Sequence, residues 1–214
     1  MSALTLYIGD KNLSSWSLRP WLILKQVGVP FAEKMIRLGR KTTGADILDK
    51  SPNGLVPCLV DGGVTVWDSL AIAEYLAETF PEKKLWPEDK AARAEARAVS
   101  AEMHSGFSAL RTVWPMVFSR EGMRHIQPDA VRKDVARIAG IWTNAREKFG
   151  GGGPFLFGQF SIADAMYAPV VSRFVTYGPL DLPKPAAEWR DMMFALPAMK
   201  EWGDGARAEV AAQG

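Results

Sequence analysis

Every clear strand signal in this chain lies before residue 68, and from Glu88 onward the pattern is helical. A chain divided in this way is neither a repeating α/β protein, whose strands recur along its length, nor one uniform bundle of helices. The division calls for a small α/β unit followed by an all-helical unit, over residues 1–82 and 88–214.

Within the first unit, Leu4-Thr5-Leu6-Tyr7-Ile8 alternates as a half-buried strand does and stops at Gly9-Asp10. Leu18, Trp21, Leu22, Leu24 and Val27 are spaced for a mostly buried helix, which Gly28 and Pro30 end. Residues 31–38 read as a second strand, which completes a βαβ unit with a parallel pair. A short helix is expected at residues 45–49, followed by the turn Pro52-Asn53-Gly54. Residues 55–60 and 64–67 are short β runs around Asp61-Gly62-Gly63, a hairpin signal. Pro57 has no N–H for a central ladder. It is either an edge feature or a cis turn that holds the preceding backbone out of the sheet, free to pair with something else. Asp68-Ser69 then opens a helix whose inner face reads Leu70, Ala73, Leu76, Ala77 and Phe80.

In the second unit, residues 90–111 read as one helix that Pro115 ends or kinks, with His104, Phe107, Arg111 and Trp114 recurring along one face. The helix that begins near Pro128 carries Val131, Val135, Ile138, Trp142, Ala145 and Phe149 as a core stripe, and four glycines at 150–153 end it. Phe160-Ser161-Ile162-Ala163-Asp164 has the spacing of a reciprocal capping box in front of a buried helix.

Composition narrows the chemistry. Of the 214 residues, 26 are basic and 24 acidic, a net charge of +2 without segregation, so no field steers the protein to nucleic acid or an anionic membrane. The single cysteine, Cys58, excludes an internal disulfide, a CxxC redox pair and a multi-cysteine metal site, and it points to a reducing, cytoplasmic setting. His104 and His125 lack metal-ligand spacing and no glycine-rich phosphate loop occurs, so no metal is expected. The N-terminus lacks a basic region followed by an apolar run and no segment has the length of a bilayer span; neither secretion nor membrane insertion is expected.

The stretch that draws chemical interest is Asn12-Leu13-Ser14-Ser15-Trp16-Ser17-Leu18-Arg19-Pro20-Trp21, between the first strand and the first helix. Pro20 belongs in a first helical turn, which makes Ser17 the expected N-cap and leaves Ser14 and Ser15 just outside the helix. There the helix dipole and free N–H groups favour an anion, and a hydroxyl can donate one further hydrogen bond. The same serines also read as ordinary capping and turn residues.

The order β-α-β, loop, β-β-α, with Val56-Pro57 before the third strand and Asp68-Ser69 at the last helix, resembles the thioredoxin-like N-terminal domain of the cytosolic glutathione transferases. Ser14-Ser15-Trp16-Ser17-Leu18-Arg19 resembles the serine motif of their zeta class, with Trp16 where that class carries cysteine, and the Ser161–Asp164 box resembles that of the family's helical domain. The resemblance implies a glutathione transferase homodimer that stabilises the glutathione thiolate and conjugates it to a small hydrophobic electrophile. A zeta-like isomerase or dehalogenase, and a non-catalytic scaffold like the family's elongation-factor and stringent-response relatives, are the alternatives. It implies Ser14, with Ser15 in reserve, facing the sulfur. Val56 and Pro57 would hold the cysteinyl backbone, and Asp68 and Ser69 the γ-glutamyl end. Arg37, Arg40 or Lys41 would hold the glycine carboxylate, and Trp16, His104, Phe107 and Arg111 would line the electrophile pocket. Asp68 and Ser69 also read as simple helix caps, Arg37, Arg40 and Lys41 equally as solvated surface charge, His104 equally as a satisfied histidine between helices, and Phe107 and Trp114 as core.

Overall fold

The structure is a computed structural model that describes residues 4–123 and 126–212; His125 lies outside the described residues. Strand β1 (Leu4–Ile8), helix α1 (Ser15–Gln26) and strand β2 (Phe31–Met35) form the expected unit, with Leu4 opposite Phe31 in a parallel ladder. After α2 (Thr43–Leu48), strands β3 (Cys58–Asp61) and β4 (Val64–Trp67) form the hairpin, and α3 (Ser69–Thr79) closes the unit. The sheet order is β2-β1-β3-β4, with β3 antiparallel to both neighbours. The Val56-Pro57 bond is cis, and β3 begins only at Cys58, so the backbone of Val56 stands outside the ladder.

The helical unit comprises α4 (Lys90–Ser105), α5 (Ser108–Val113), α6 (Asp129–Phe149), α7 (Ile162–Thr176), α8 (Lys184–Phe194) and α9 (Pro197–Ala211). Helix α7 is buried almost all round because α1, α4 and α8 pack on it from different sides. Its start is fixed by the capping box, in which the Asp164 carboxylate accepts the Ser161 N–H and hydroxyl, each at 2.9 Å. That carboxylate also accepts Leu156 N–H and the Trp189 indole, which ties α7 to α8. Burial nevertheless pushes the Asp164 carboxyl up to about 6.

Two expectations are corrected. Helix α1 starts at Ser15, with Ser14 and not Ser17 in the N-cap position, and Pro20 lies inside the helix. Ser17 is buried there, and its Oγ accepts the Gly9 N–H at 3.1 Å, fastening the helix to the end of β1. Inside the first turn, Ser17 lies past the N-cap position, from which a side chain caps the helix. The second correction concerns residues 90–111, which form two helices. Gly106 ends α4, because a Cβ there would stand 2.6 Å from the Glu102 carbonyl oxygen, and Phe107 follows at φ 56°. Helix α5 is then anchored from outside: Asp134 on α6 accepts the Leu110 N–H at 2.9 Å.

Candidate active site

Two neighbouring hollows meet at Trp16. The smaller, about 280 Å³, is lined by Trp16, Asn53, Leu55, Val56, Pro57, Asp68 and Ser69, so the structure brings the expected peptide-binding residues together. The larger, about 400 Å³, lies between the units and is walled by Leu13, Ser15, Trp16, Ser108, Arg111, Thr112, Pro115, Met116 and Arg173. Trp16 is therefore the partition, held by Arg19 stacked 4.2 Å from its ring and by His104 edge-on at 5.2 Å.

Asp68 and Ser69 do more than cap. Asp68 adopts φ 75°, a left-handed conformation that a residue with a Cβ seldom holds without a compensating contact. One carboxylate oxygen accepts the Leu70 and Ala71 N–H groups at the start of α3, while the other lies 3.2 Å from His104 Nε2 on α4. Burial lowers the His104 pKa; Asp68 works against this, and Arg19 and Arg111 add to it. The pair is an ion pair only when the ring is protonated, and His104 Nδ1 is buried without a hydrogen-bond partner. Ser69 is buried, and its Oγ accepts from Arg19 Nη1 at 3.3 Å.

The serine loop is compact. Ser14 is 6% exposed, donates to Ser17 Oγ at 2.7 Å and makes no capping bond of its own. An O–O contact between two hydroxyls runs in either direction, since each is both donor and acceptor. Ser17 Oγ already receives the Gly9 N–H; when it donates to Ser14, the Ser14 proton is released for a third group. Ser15 is half-buried and opens on the larger cleft.

Charge in that cleft is one-sided. Arg173 is 5% exposed, with its Nε–H on the Trp114 carbonyl, and burial together with Arg111 draws its pKa down to about 10. Arg19 is drawn down to about 9, chiefly by burial and then by Arg173 and Arg111. Both remain protonated near neutrality. Arg111 Nε is buried without a hydrogen-bond partner. Arg111 and Arg173 line the cleft beside hydroxyls of Ser15, Ser108 and Thr112, with Arg19 close enough to feel both charges, and together they make a receptor for an anion.

Sequence reasoning missed Arg19, Arg173, Ser108 and Thr112. Arg173 could have been found, because it interrupts the apolar run Ala168-Pro169-Val170-Val171-Ser172 before Phe174 in a helix otherwise read as core. Arg40 lies exposed before α2, its N–H donated to Thr43 Oγ1, while Arg37 is engaged by Asp10 at 2.8 Å. Phe107, 8% exposed, and Trp114, fully buried, belong to the core. Cys58 is buried with its S–H on the Lys50 carbonyl, and burial pushes its thiol up, which disfavours a competing thiolate. Among the described residues, no group of three or more His, Cys, Asp or Glu is placed to hold a metal ion, and no helix is long and apolar enough to cross a membrane.

Comparison with known proteins bears on both units. The family model for the glutathione S-transferase N-terminal domain matches residues 13–79, and that for the C-terminal domain matches residues 91–202. Maleylacetoacetate isomerase of Rattus norvegicus is 32% identical, over 78% of this chain and 76% of the relative. A probable maleylacetoacetate isomerase of Caenorhabditis elegans is 35% identical, and the match spans half of each chain. The solved epsilon-class glutathione S-transferase of Musca domestica superposes with a TM-score of 0.72 at 26% identity, covering 98% of this chain and 96% of that one. A thioredoxin-like unit with Val56-Pro57 and Asp68-Ser69 in one hollow, a helical unit closed by the Ser161–Asp164 box and matches to both domain models agree: the chain belongs to the glutathione S-transferase family.

Proposed function

We propose that the protein binds glutathione across the smaller hollow and adds its sulfur to an unsaturated or otherwise electrophilic carbon of a substrate that carries a carboxylate. The observation that carries the reading is the arginine-lined cleft adjoining the peptide hollow at Trp16. In this reading the free backbone of Val56 pairs with the cysteinyl unit. The α3 N-terminus with Ser69 takes the γ-glutamyl carboxylate, and Asp68 takes the amine. The sulfur then lies at the N-terminus of α1, where the N-cap side chain does not cap, and the Ser14 hydroxyl donates to the thiolate with Ser17 behind it. Leu13, Trp16, Pro115 and Met116 provide the apolar wall for the electrophile, and Arg111 with Arg173 holds its carboxylate. The thiolate forms the C–S bond with the electrophilic carbon, while the displaced electron pair goes to the leaving group or into the conjugated carbonyl. Retention of the C–S bond makes the protein a transferase. Reversal after rotation about the former double bond makes it an isomerase, a second reading that the cationic cleft and the isomerase relatives favour. Cytoplasmic operation as a homodimer belongs to the same proposal and rests on the single buried thiol and the family.

The test is a pair of electrophiles differing only in a free carboxylate against its methyl ester, assayed with wild type and Arg111→Gln. A charge-assisted hydrogen bond is worth about 1.5–3 kcal/mol, so the acid is expected to lose roughly tenfold to hundredfold in kcat/KM in the variant. The ester should change little. Equal losses on both would remove the carboxylate from the proposal.

A further inference from the structure

The loop that bears Ser14 and Ser15 is held from outside its own unit. Three main-chain groups and one side chain of Lys11 and Asn12 are bonded by residues more than a hundred positions away. The Trp202 indole of α9 donates to the Lys11 carbonyl at 2.8 Å. Glu209, about two turns along the same face of α9, accepts the Asn12 N–H at 3.3 Å. The Asn12 carbonyl accepts the Phe118 N–H at 3.1 Å, and its side-chain Oδ1 accepts the Ser119 N–H at 2.9 Å. Asn12 is thus gripped between the last helix and the segment after α5.

That segment is the wall of the larger cleft, since Pro115 and Met116 line it immediately before Phe118 and Ser119. On the other side of Asn12, Leu13 and Ser15 line the same cleft and Ser14 occupies the α1 N-cap. Helix α9 is shaped for the approach. It carries Gly203 and Gly205, each unfavourable in a helix by about 1 kcal/mol relative to alanine. A Cβ on Gly205 would stand 2.7 Å from Lys11 Cδ, and one on Gly203 would stand 2.9 Å from Phe118 Cε1. The helix accepts weaker local propensity where it meets the two segments that Asn12 joins.

We infer that Asn12 is a positioning residue for the thiol-facing hydroxyls: fixed by Ser119 and Glu209, it sets the serine loop against the wall of the electrophile cleft. The inference rests on the proposed thiolate chemistry. Displacement of a reacting group by about 1 Å through a remote change lowers rates by up to about a hundredfold, so a loop with this duty is worth bracing from two elements.

The experiment titrates the ultraviolet absorbance of the glutathione thiolate bound to wild type, Asn12→Ala, Glu209→Ala and Glu209→Gln, alongside glutathione affinity by calorimetry. Wild type should titrate below the value of about 8.5 for a free thiol. Asn12→Ala should move the midpoint up by roughly half to one unit, a loss of about threefold to tenfold in rate at pH 7. Its glutathione affinity should stay within about twofold, because Val56, Asp68 and Ser69 are untouched. Glu209→Gln keeps an oxygen for the Asn12 N–H and should follow wild type, whereas Glu209→Ala should shift as Asn12→Ala does. A folded Asn12→Ala with the wild-type midpoint, or one that loses glutathione affinity in parallel, overturns the inference. If Asn12→Ala does not fold, the Glu209 pair decides, and Glu209→Ala at the wild-type midpoint overturns it. Wild type titrating like free glutathione would instead refute thiolate stabilisation itself, and this inference with it.

Discussion

Ser14 shows how one side chain acquires a task from what its neighbours decline. As the N-cap of α1 it would ordinarily accept a first-turn N–H, but it makes no such bond and its oxygen lies 2.7 Å from Ser17 Oγ. Ser17, fed by the Gly9 N–H, has its own proton to give, so the Ser14 proton is available to an incoming thiolate. One hydrogen bond to a charged group is worth about 1.5–3 kcal/mol, which lowers a thiol pKa by roughly one to two units. Ser14→Ala is expected to reduce the rate near pH 7 about tenfold, and the deficit should shrink as pH rises toward the thiol's own pKa of about 8.5. Ser15→Ala should alter KM for the electrophile, because Ser15 faces the cleft, without moving the pH profile. If the pH-dependent loss appears in Ser15→Ala and not in Ser14→Ala, the roles are exchanged. At this scale the sequence marked Ser14, Asp68 and Ser69 as helix-start residues, because short polar side chains favour those positions, while their proposed ligand came from the resemblance. The partners Arg19, Arg173 and Asn12 were not legible, because each acts through a contact between segments that only the fold brings together.

Elements were legible where periodicity or turn chemistry spoke without competition. The β3–β4 hairpin, the α6 stripe and the α7 capping box follow from local pattern, and they form at those places. The break between α4 and α5 did not, since Ala, Arg and Glu keep helical propensity high on both sides of Gly106 and the deciding bond comes from Asp134. That break matters for His104, which sits in the last turn of α4 and lies 3.2 Å from Asp68 across the unit boundary. Its pKa is depressed below 6.5 by burial, with Arg19 and Arg111 opposing Asp68. A base with a depressed folded pKa is protonated first in the unfolded chain. Burial of the neutral ring therefore carries no ionisation cost above about pH 6.5, and stability falls as pH drops below it, an effect that Asp68 partly offsets. Asp164 acts in the opposite sense: its carboxyl is raised to about 6 from 3.8, so acidification through that window favours the folded state. Comparison with His104→Asn separates the two, because Asp164 is common to both proteins. The variant should lose less of its melting temperature than wild type between about pH 7 and pH 5.5. Parallel losses would mean that protonation of the buried His104 ring is not sensed by stability.

On the scale of the whole molecule, the two units share a core. Helix α1 is the reason: Trp21, Leu22, Ile23 and Leu24 are all fully buried, which the sheet unit alone could not achieve on every face, and α7 and α9 cover the remainder. Trp21 meets Trp202 of α9 edge-on at 5.0 Å, and Lys11 lies over both rings. The sequence suggested separate domains because composition changes sharply near residue 88, but composition says nothing of how much surface each unit hides in the other. A shared core predicts one cooperative transition. Trp202→Ala opens a cavity and removes the partner of the Lys11 carbonyl, so a loss of about 3–5 kcal/mol in unfolding free energy is expected. The lone cysteine supplies a local probe: Cys58 is fully buried in the sheet unit and reacts with a thiol reagent only after that unit opens. Most of the far-ultraviolet circular dichroism comes from the helical unit. In urea the two signals should share one midpoint in wild type and one lower midpoint in Trp202→Ala. Cys58 becoming reactive at a denaturant concentration where the helical signal is still native would show that the sheet unit opens by itself, and that the core across α1 does not couple the two units in stability.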